Sequence, residues 1–160
     1  MSNLIDNFLI RLGVVILAIA SPFICLFFHG ELDSYSQYWE TDLRPLFIFT
    51  NASTSYFLFS MKRWWPSALC LMILTAFSFD QYLWVHNISA IIFFLICGIL
   101  IFKDRRHSWY SLPYFSSLIV LIYYGIFWAE VLAILVICSF HLHRMIRYHL
   151  IDIKRKKSII

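Results

Sequence analysis

Apolar residues occur along this chain in long runs that contain few polar positions. Half-buried strands alternate apolar and polar residues, and surface helices repeat apolar residues every three to four positions. These runs show neither pattern, and continuous apolar runs are typical of helices that cross a bilayer. The pattern therefore predicts an all-α, polytopic transmembrane bundle, with apolar runs at residues 8–28, 46–61, 65–84, 88–102 and 112–140.

The last run, residues 112–140, has an awkward length for a membrane helix. A single helix over these residues would be about 43 Å long, whereas the hydrocarbon core of a bilayer is about 30 Å thick. If the run crosses once, the chain has five helices and the last one is longer than the hydrocarbon core is thick. If the run crosses twice, the chain has six helices and the last two are short. Gly125 is the only glycine in the run and can adopt backbone angles that other residues avoid, so a hairpin would turn there.

The basic residues favour two crossings. Lys and Arg concentrate on the cytoplasmic side of short membrane loops. With one crossing in the last run, the two sides of the membrane hold six and seven of the 13 basic residues; with two crossings they hold twelve and one, the exception being Arg44. We therefore favour six helices over five, with both termini cytoplasmic. We expect the bundle over residues 1–146 and a basic cytoplasmic tail over residues 147–160.

The composition lies outside that of soluble domains, in which about half of the residues are apolar and about a quarter are charged. Here 61% are hydrophobic and 14% are charged, and the net charge of +4 follows from the basic membrane loops. The four cysteines lie on different runs without a C-x-x-C pair, which predicts buried inert thiols. We expect the lipid bilayer as partner, no nucleic acid and no cofactor, because the sequence contains no phosphate-binding loop or nucleotide motif.

The acidic residues collect on the predicted outer side. Six of the nine acids fall there, and Arg44 is the only basic residue with them. Glu130 lies near the start of the sixth predicted helix, where the helix dipole favours a negative charge. These positions predict an outer ion-pair network of Arg44, Asp80 and Glu130.

A catalytic alternative uses the same side of the membrane. Glu, Asp and His side chains that converge at helix ends could hold a zinc ion and activate a water for hydrolysis of a lipid amide or ester. The sequence contains no H-x-x-x-H or H-E-x-x-H pattern, which favours the ion-pair network instead. The candidate residues of the hydrolase are Ser36, Glu40, Asp80, His86 and Glu130.

The second run carries a stripe of small polar residues. Small and hydroxyl side chains allow membrane helices to approach closely and to bond across the interface, so a packing face is the first interpretation. The second interpretation is that the stripe lines a polar pore or ligand cavity. The stripe consists of Thr50, Asn51, Ser53, Thr54 and Ser55.

Basic residues follow the last run. Lys and Arg at the cytoplasmic interface are attracted to anionic lipid headgroups. Contact with lipid headgroups is therefore expected for Arg144, Arg147, Lys154, Arg155, Lys156 and Lys157.

Three segments match motifs that occur in a fixed order. Residues 34–47 have the form S-x-S-x-Y-aromatic-x-T-x-x-R-x-x-F, residues 86–94 the form H-x-x-S/F-A-x-x-F-F, and residues 127–133 the form F-W-x-E-x-x-A. In these segments the chain resembles a family of bacterial six-helix integral membrane proteins of uncharacterised activity, itself distantly similar to DRAM-like proteins and to the alkaline ceramidase superfamily. The resemblance implies six helices in a bacterial inner membrane and transfers no activity. The chain departs from the family at Pro45, where an acid is expected, and in a short connection between the fifth and sixth helices.

Three functional hypotheses follow from these patterns. The first is a non-enzymatic, membrane-embedded partner or sensor subunit that forms a homo-oligomer or binds a protein partner. The second is the metal-dependent lipid hydrolase, and the third is a small oligomeric channel or transporter that uses the stripe of the second helix. Because no catalytic motif is assembled in the sequence, we favour the first.

Overall fold

A computed structural model describes residues 2–157 of the chain, and side chains over residues 8–151. This part of the chain contains six α-helices, two short 3-10 helices and no strand, so the predicted all-α class is confirmed. The 3-10 helices are Tyr35–Glu40 and Ser108–Tyr110. The α-helices are α1 (Ser2–His29), α2 (Arg44–Phe59), α3 (Trp65–Ala76), α4 (Leu83–Lys103), α5 (Ser111–Tyr124) and α6 (Ile126–Lys157).

Three of the helices are long and apolar enough to cross a membrane. These spans are Phe8–His29, Leu83–Lys103 and Ile126–Ile151. Helices α2, α3 and α5 have 16, 12 and 14 residues, which corresponds to about 24, 18 and 21 Å. The helices are therefore compatible with an integral membrane protein, and the number of crossings stays a prediction.

The long apolar run is broken at Gly125, as predicted. This glycine has φ +90° and ψ 178°, and it separates the end of α5 at Tyr124 from the start of α6 at Ile126. Helix α5 then packs antiparallel to α6, and the Tyr110 hydroxyl donates a hydrogen bond to the Ser139 carbonyl at 3.4 Å. The turn at Gly125 is confirmed, and the crossing of the membrane by both legs stays a prediction. The second leg continues as one helix to Lys157, so the helix does not end at the predicted start of the tail, residue 147. Residues 158–160 of the tail lie outside the described residues.

Charged residues gather at opposite ends of the bundle. At one end the Asp33 carbonyl accepts a hydrogen bond from the Phe127 N–H at 3.1 Å, and Glu40 Oε1 accepts one from the Asp80 N–H at 3.2 Å. At the other end Asp104 lies 3.6 Å from Arg144. We call the first the acidic end; it holds Glu31, Asp33, Glu40, Asp42, Asp80, Glu130 and Arg44. We call the second the basic end; it holds Lys62, Arg63, Lys103, Arg105, Arg106 and Arg144.

The bundle buries aromatic rings along its axis and exposes apolar side chains on its outside. Phe47, Phe127 and Phe140 are almost completely buried. By contrast, Trp84 and Leu112 are each 80% exposed. Large exposed apolar surfaces are rare on soluble monomers, and here they provide a lipid-compatible exterior around the internal residues described next.

Candidate functional site

The Tyr35–Glu40 3-10 helix closes the acidic end of the bundle. Gly30, at φ +83°, ends α1 and turns the chain towards this helix. Three side chains then attach the helix to its neighbours: the Tyr35 hydroxyl shares a hydrogen bond with Ser21 at 2.8 Å, Tyr38 donates to the Gly30 carbonyl, and Trp39 Nε1 donates to the Thr75 carbonyl at 2.9 Å. The 3-10 helix is thereby held against α1 and α3.

Glu130 attaches the same 3-10 helix to α6. Its carboxylate accepts a hydrogen bond from the backbone N–H of Tyr35 at 2.7 Å. Hydrogen bonds to an ionised carboxylate are shorter and stronger than those between neutral groups. Glu130 therefore joins two segments that are far apart in sequence.

Arg44 does not take the partners predicted for it. Its guanidinium lies 3.9 Å from Glu40 and 4.2 Å from the centre of the Trp39 ring, and Nε donates to the Trp39 carbonyl at 2.7 Å. The predicted network of Arg44, Asp80 and Glu130 is thus replaced by a local pair with Glu40, one helical turn away in sequence. Glu130 accepts a hydrogen bond from the backbone N–H of Tyr35 instead.

A cavity of about 60 Å³ lies between the helices beneath the 3-10 helix. Residues of α1, α2, α3, α4 and α6 line it, and apolar side chains form most of the wall. The stripe of the second helix is divided: Thr50, Asn51 and Thr54 line the cavity, whereas Ser53 and Ser55 do not. The polar lining residues are Ser21, Tyr35, Ser36, Thr50, Asn51, Thr54 and Glu130.

Two polar atoms of the lining have no hydrogen-bond partner. They are Thr50 Oγ1 and Asn51 Nδ2, on side chains of residues that are 3% and 8% exposed. Thr54, by contrast, donates its hydroxyl to the Thr50 carbonyl at 2.8 Å. A buried polar group without a partner costs about 1–3 kcal/mol, so such groups are expected where water or a ligand completes the hydrogen bonds.

The five hydrolase candidates lie in two groups. Ser36 and Glu130 are at the cavity, where the Ser36 hydroxyl is bonded to Ser34 at 3.0 Å. Asp80 lies in the turn over residues 77–82, which Glu40 and His86 both contact. Glu40 accepts from the Asp80 N–H, and the buried His86 bonds through Nδ1 to the Phe77 carbonyl at 3.1 Å. Within the described part of the chain, no group of three or more His, Cys, Asp or Glu side chains could hold a metal ion.

A second polar cluster lies at the basic end. Asp104 accepts hydrogen bonds from the Arg106 N–H at 3.1 Å and from His107 Nδ1 at 3.3 Å. Burial raises the pKa of Asp104, but these hydrogen bonds and the positive charge of Arg144 outweigh the burial and hold that pKa below its ordinary value. The cluster attaches the turn that follows α4 to helix α6.

The predicted lipid contacts have different positions in the structure. Arg144 is paired with Asp104 and also lies over the Phe140 ring at 5.4 Å, so its charge is used within the protein. Arg147 is exposed, as a headgroup contact requires. The side chains of Lys154, Arg155, Lys156 and Lys157 lie outside the described ones.

Replacing Asp104 with asparagine is expected to lower the free energy of unfolding at pH 7 by about 1–2 kcal/mol, because charged hydrogen bonds at a partly buried position are lost. Since the folded-state pKa of Asp104 is below its ordinary value, its stabilisation is present above that ordinary value and is lost as the pH falls through the folded-state pKa. Thermal unfolding in detergent from pH 7 to pH 3 measures the difference in stability between the unmodified protein and Asp104→Asn. This difference should become smaller as the pH approaches 3.

The matched control for this experiment is Asp80→Asn, at an exposed position of the acidic end. It should change stability by less than about 0.5 kcal/mol. If Asp104→Asn loses the same stability at every pH, the ionised Asp104 carboxylate is not the source of the stabilisation, which would contradict this prediction.

Within the described residues the fold is all-helical, with three helices long and apolar enough to cross a membrane, and a cavity with a mostly apolar wall lies beneath the Tyr35–Glu40 3-10 helix. Comparison with protein-family models, curated proteins and solved structures finds no match to this chain. The resemblance described from the three sequence segments therefore stays a prediction, and the function must be argued from the cavity and its surroundings.

Proposed function

We propose that this chain is a non-enzymatic sensor or partner subunit of the bacterial inner membrane, which crosses the bilayer six times with both termini in the cytoplasm. The charges support this orientation, because the basic end would face the cytoplasm and the acidic end the outer side. The cavity beneath the Tyr35–Glu40 3-10 helix would hold a small polar ligand, and the chain would respond to it rather than convert it.

One observation supports a sensor above all others: α6 contains both Glu130, in its first turns, and the basic tail, in its last turns. A helix of 32 residues is about 48 Å long. Glu130 also holds the Tyr35–Glu40 3-10 helix, so a ligand at the cavity that changes this contact acts on the same rigid element that ends in the tail. The tail would then present this change to another copy of the chain or to a protein partner.

Coupling between the two ends can be measured with a fluorophore on the tail. We attach an environment-sensitive dye to Ile151→Cys in a protein whose Cys25, Cys70, Cys97 and Cys138 are alanine, and we compare Glu130 with Glu130→Gln. The substitution should shift the dye emission, because it changes the contact that joins α6 to the 3-10 helix. Asp42→Asn, an exposed acid of the same end, is the control and should not shift it. Equal emission from all three proteins would contradict the sensor.

The subunit character has its own test. Protein extracted in a mild detergent should have the mass of an oligomer or of a complex with a defined partner, measured by native mass spectrometry. A homogeneous monomer at every concentration would contradict this part of the proposal.

A second candidate function is a small channel or transporter, and one observation favours it. Thr50 and Asn51 lie on one turn of α2 and Thr54 lies on the next, and all three line the cavity, so polar groups extend into the bundle from its acidic end. Transport predicts that Asn51→Leu abolishes solute flux into proteoliposomes, whereas Ser53→Leu, on the same helix but outside the cavity, leaves it intact. Equal flux through both variants would exclude the use of this stripe.

A further inference from the structure

The charge of the cavity lining is unbalanced. Glu130 is the only acidic residue among the described lining residues, and none of them is basic. Arg44, the only Lys or Arg among the described residues of this end, contacts Glu40 and Trp39. An ionised carboxylate within membrane depth requires a positive partner or neutralisation by a proton, so the lining favours a cation over an anion or a neutral solute.

The polar atoms of the cavity suit a cation that donates several hydrogen bonds. Thr50 Oγ1 is without a partner and can accept one. Asn51 Nδ2 is also without a partner, and a half-turn of the amide places its oxygen there instead. Together with the Glu130 carboxylate these groups offer three acceptors, which equals the number of N–H donors of a primary ammonium group.

The apolar wall restricts the rest of the ligand. Phe47, Phe93 and Phe94 line the cavity, and such an apolar wall suits a short alkyl group. The volume is about 60 Å³, whereas a cavity that binds benzene measures about 150 Å³. Only a group of one or two carbon atoms fits beside the ammonium.

We propose that the cavity beneath the Tyr35–Glu40 3-10 helix binds a small primary ammonium ion, with the nitrogen at Glu130, Thr50 and Asn51 and a short alkyl group against the phenylalanine rings. This inference rests on the proposed function, because it names the ligand class of the same cavity. A metal cation is the competing ligand. A quaternary ammonium ion is the comparison for the hydrogen bonds, because it has the positive charge but no N–H donor.

The test measures unfolding temperature and binding heat of the purified full chain in detergent, at constant ionic strength, with methylammonium chloride as the probe. Methylammonium should raise the unfolding temperature to a saturating value, while sodium chloride and tetramethylammonium chloride should not. Glu130→Gln and Thr50→Val should each weaken methylammonium binding at least tenfold. Ser53→Ala, on α2 but outside the cavity, is the matched control and should bind as the unmodified chain does.

Several outcomes would overturn this inference: no saturable response to methylammonium, an equal response to sodium, or unchanged binding by the Glu130→Gln and Thr50→Val proteins. If Glu130→Gln does not fold, Thr50→Val decides alone, since it leaves the Glu130 contact with Tyr35 in place. Failure here is distinguishable from failure of the proposed function. The binding assay does not depend on membrane orientation or subunit mass, and the orientation and mass measurements need no ammonium ligand.

Discussion

Replacing Glu130 with leucine is expected to lower the free energy of unfolding by about 2–3 kcal/mol, because the Tyr35 N–H would lose its acceptor in the bundle. The carboxylate accepts this hydrogen bond at 2.7 Å, and leucine offers nothing in its place. The 3-10 helix would lose its hydrogen bond to α6 and keep its hydrogen bonds to Ser21, Gly30 and Thr75. Reversible unfolding in mixed detergent micelles measures the effect.

Glu130→Gln separates the hydrogen bond from the charge. Glutamine keeps a carbonyl oxygen that can accept from Tyr35, so its loss of stability should be less than half of that of leucine. If the two variants are equally unstable, the hydrogen bond to the 3-10 helix is not the main contribution of Glu130, and our description of this contact is wrong.

Replacing Gly125 with alanine is expected to destabilise the chain by about 1–3 kcal/mol, because residues other than glycine rarely occupy its region of backbone angles. Gly125 has φ +90° and ψ 178°, and a Cβ there would meet no atom within 4 Å. The effect therefore comes from the backbone alone. Because this residue connects α5 to α6, the strain would act directly on the hairpin.

Gly13→Ala is the matched control for Gly125→Ala. Gly13 lies within α1, and a Cβ there also meets no atom within 4 Å. Alanine is a better helix former than glycine by about 1 kcal/mol, so this variant should be neutral or more stable. In thermal unfolding, Gly125→Ala should lower the unfolding temperature, whereas Gly13→Ala should raise it or leave it unchanged. An equal decrease in both variants would contradict backbone strain at Gly125.

The helices and the hairpin could be predicted from the sequence because their signals are local. Apolar runs mark the segments that avoid water, and a single glycine in the last run marks the one position where the chain can turn sharply. The separation of charge between the two ends was also predictable, since short loops alternate between basic and acidic residues along the chain. These features depend on neighbouring residues.

The contacts of the site could not be predicted in the same way. Glu130 bonds to the backbone of Tyr35, 95 positions away, and any residue type has that N–H group, so no side-chain pattern marks it. The charge pattern pairs Arg44 with distant acids because it is the only Lys or Arg on that side, whereas its guanidinium lies 3.9 Å from Glu40, four residues earlier in the chain. The Asp104–Arg144 pair depends on how α4 and α6 pack, which the sequence pattern does not show.

The side of the membrane on which the tail lies tests the central claim most directly. If α5 and α6 both cross the bilayer, Glu130 and the cavity belong to the outer side and the tail to the cytoplasm. Alkaline phosphatase fused after Ile160 should then be inactive, and a fluorescent protein fused at the same position should be fluorescent. An active phosphatase with a dark fluorescent protein would contradict the six-crossing arrangement and the orientation of the cavity.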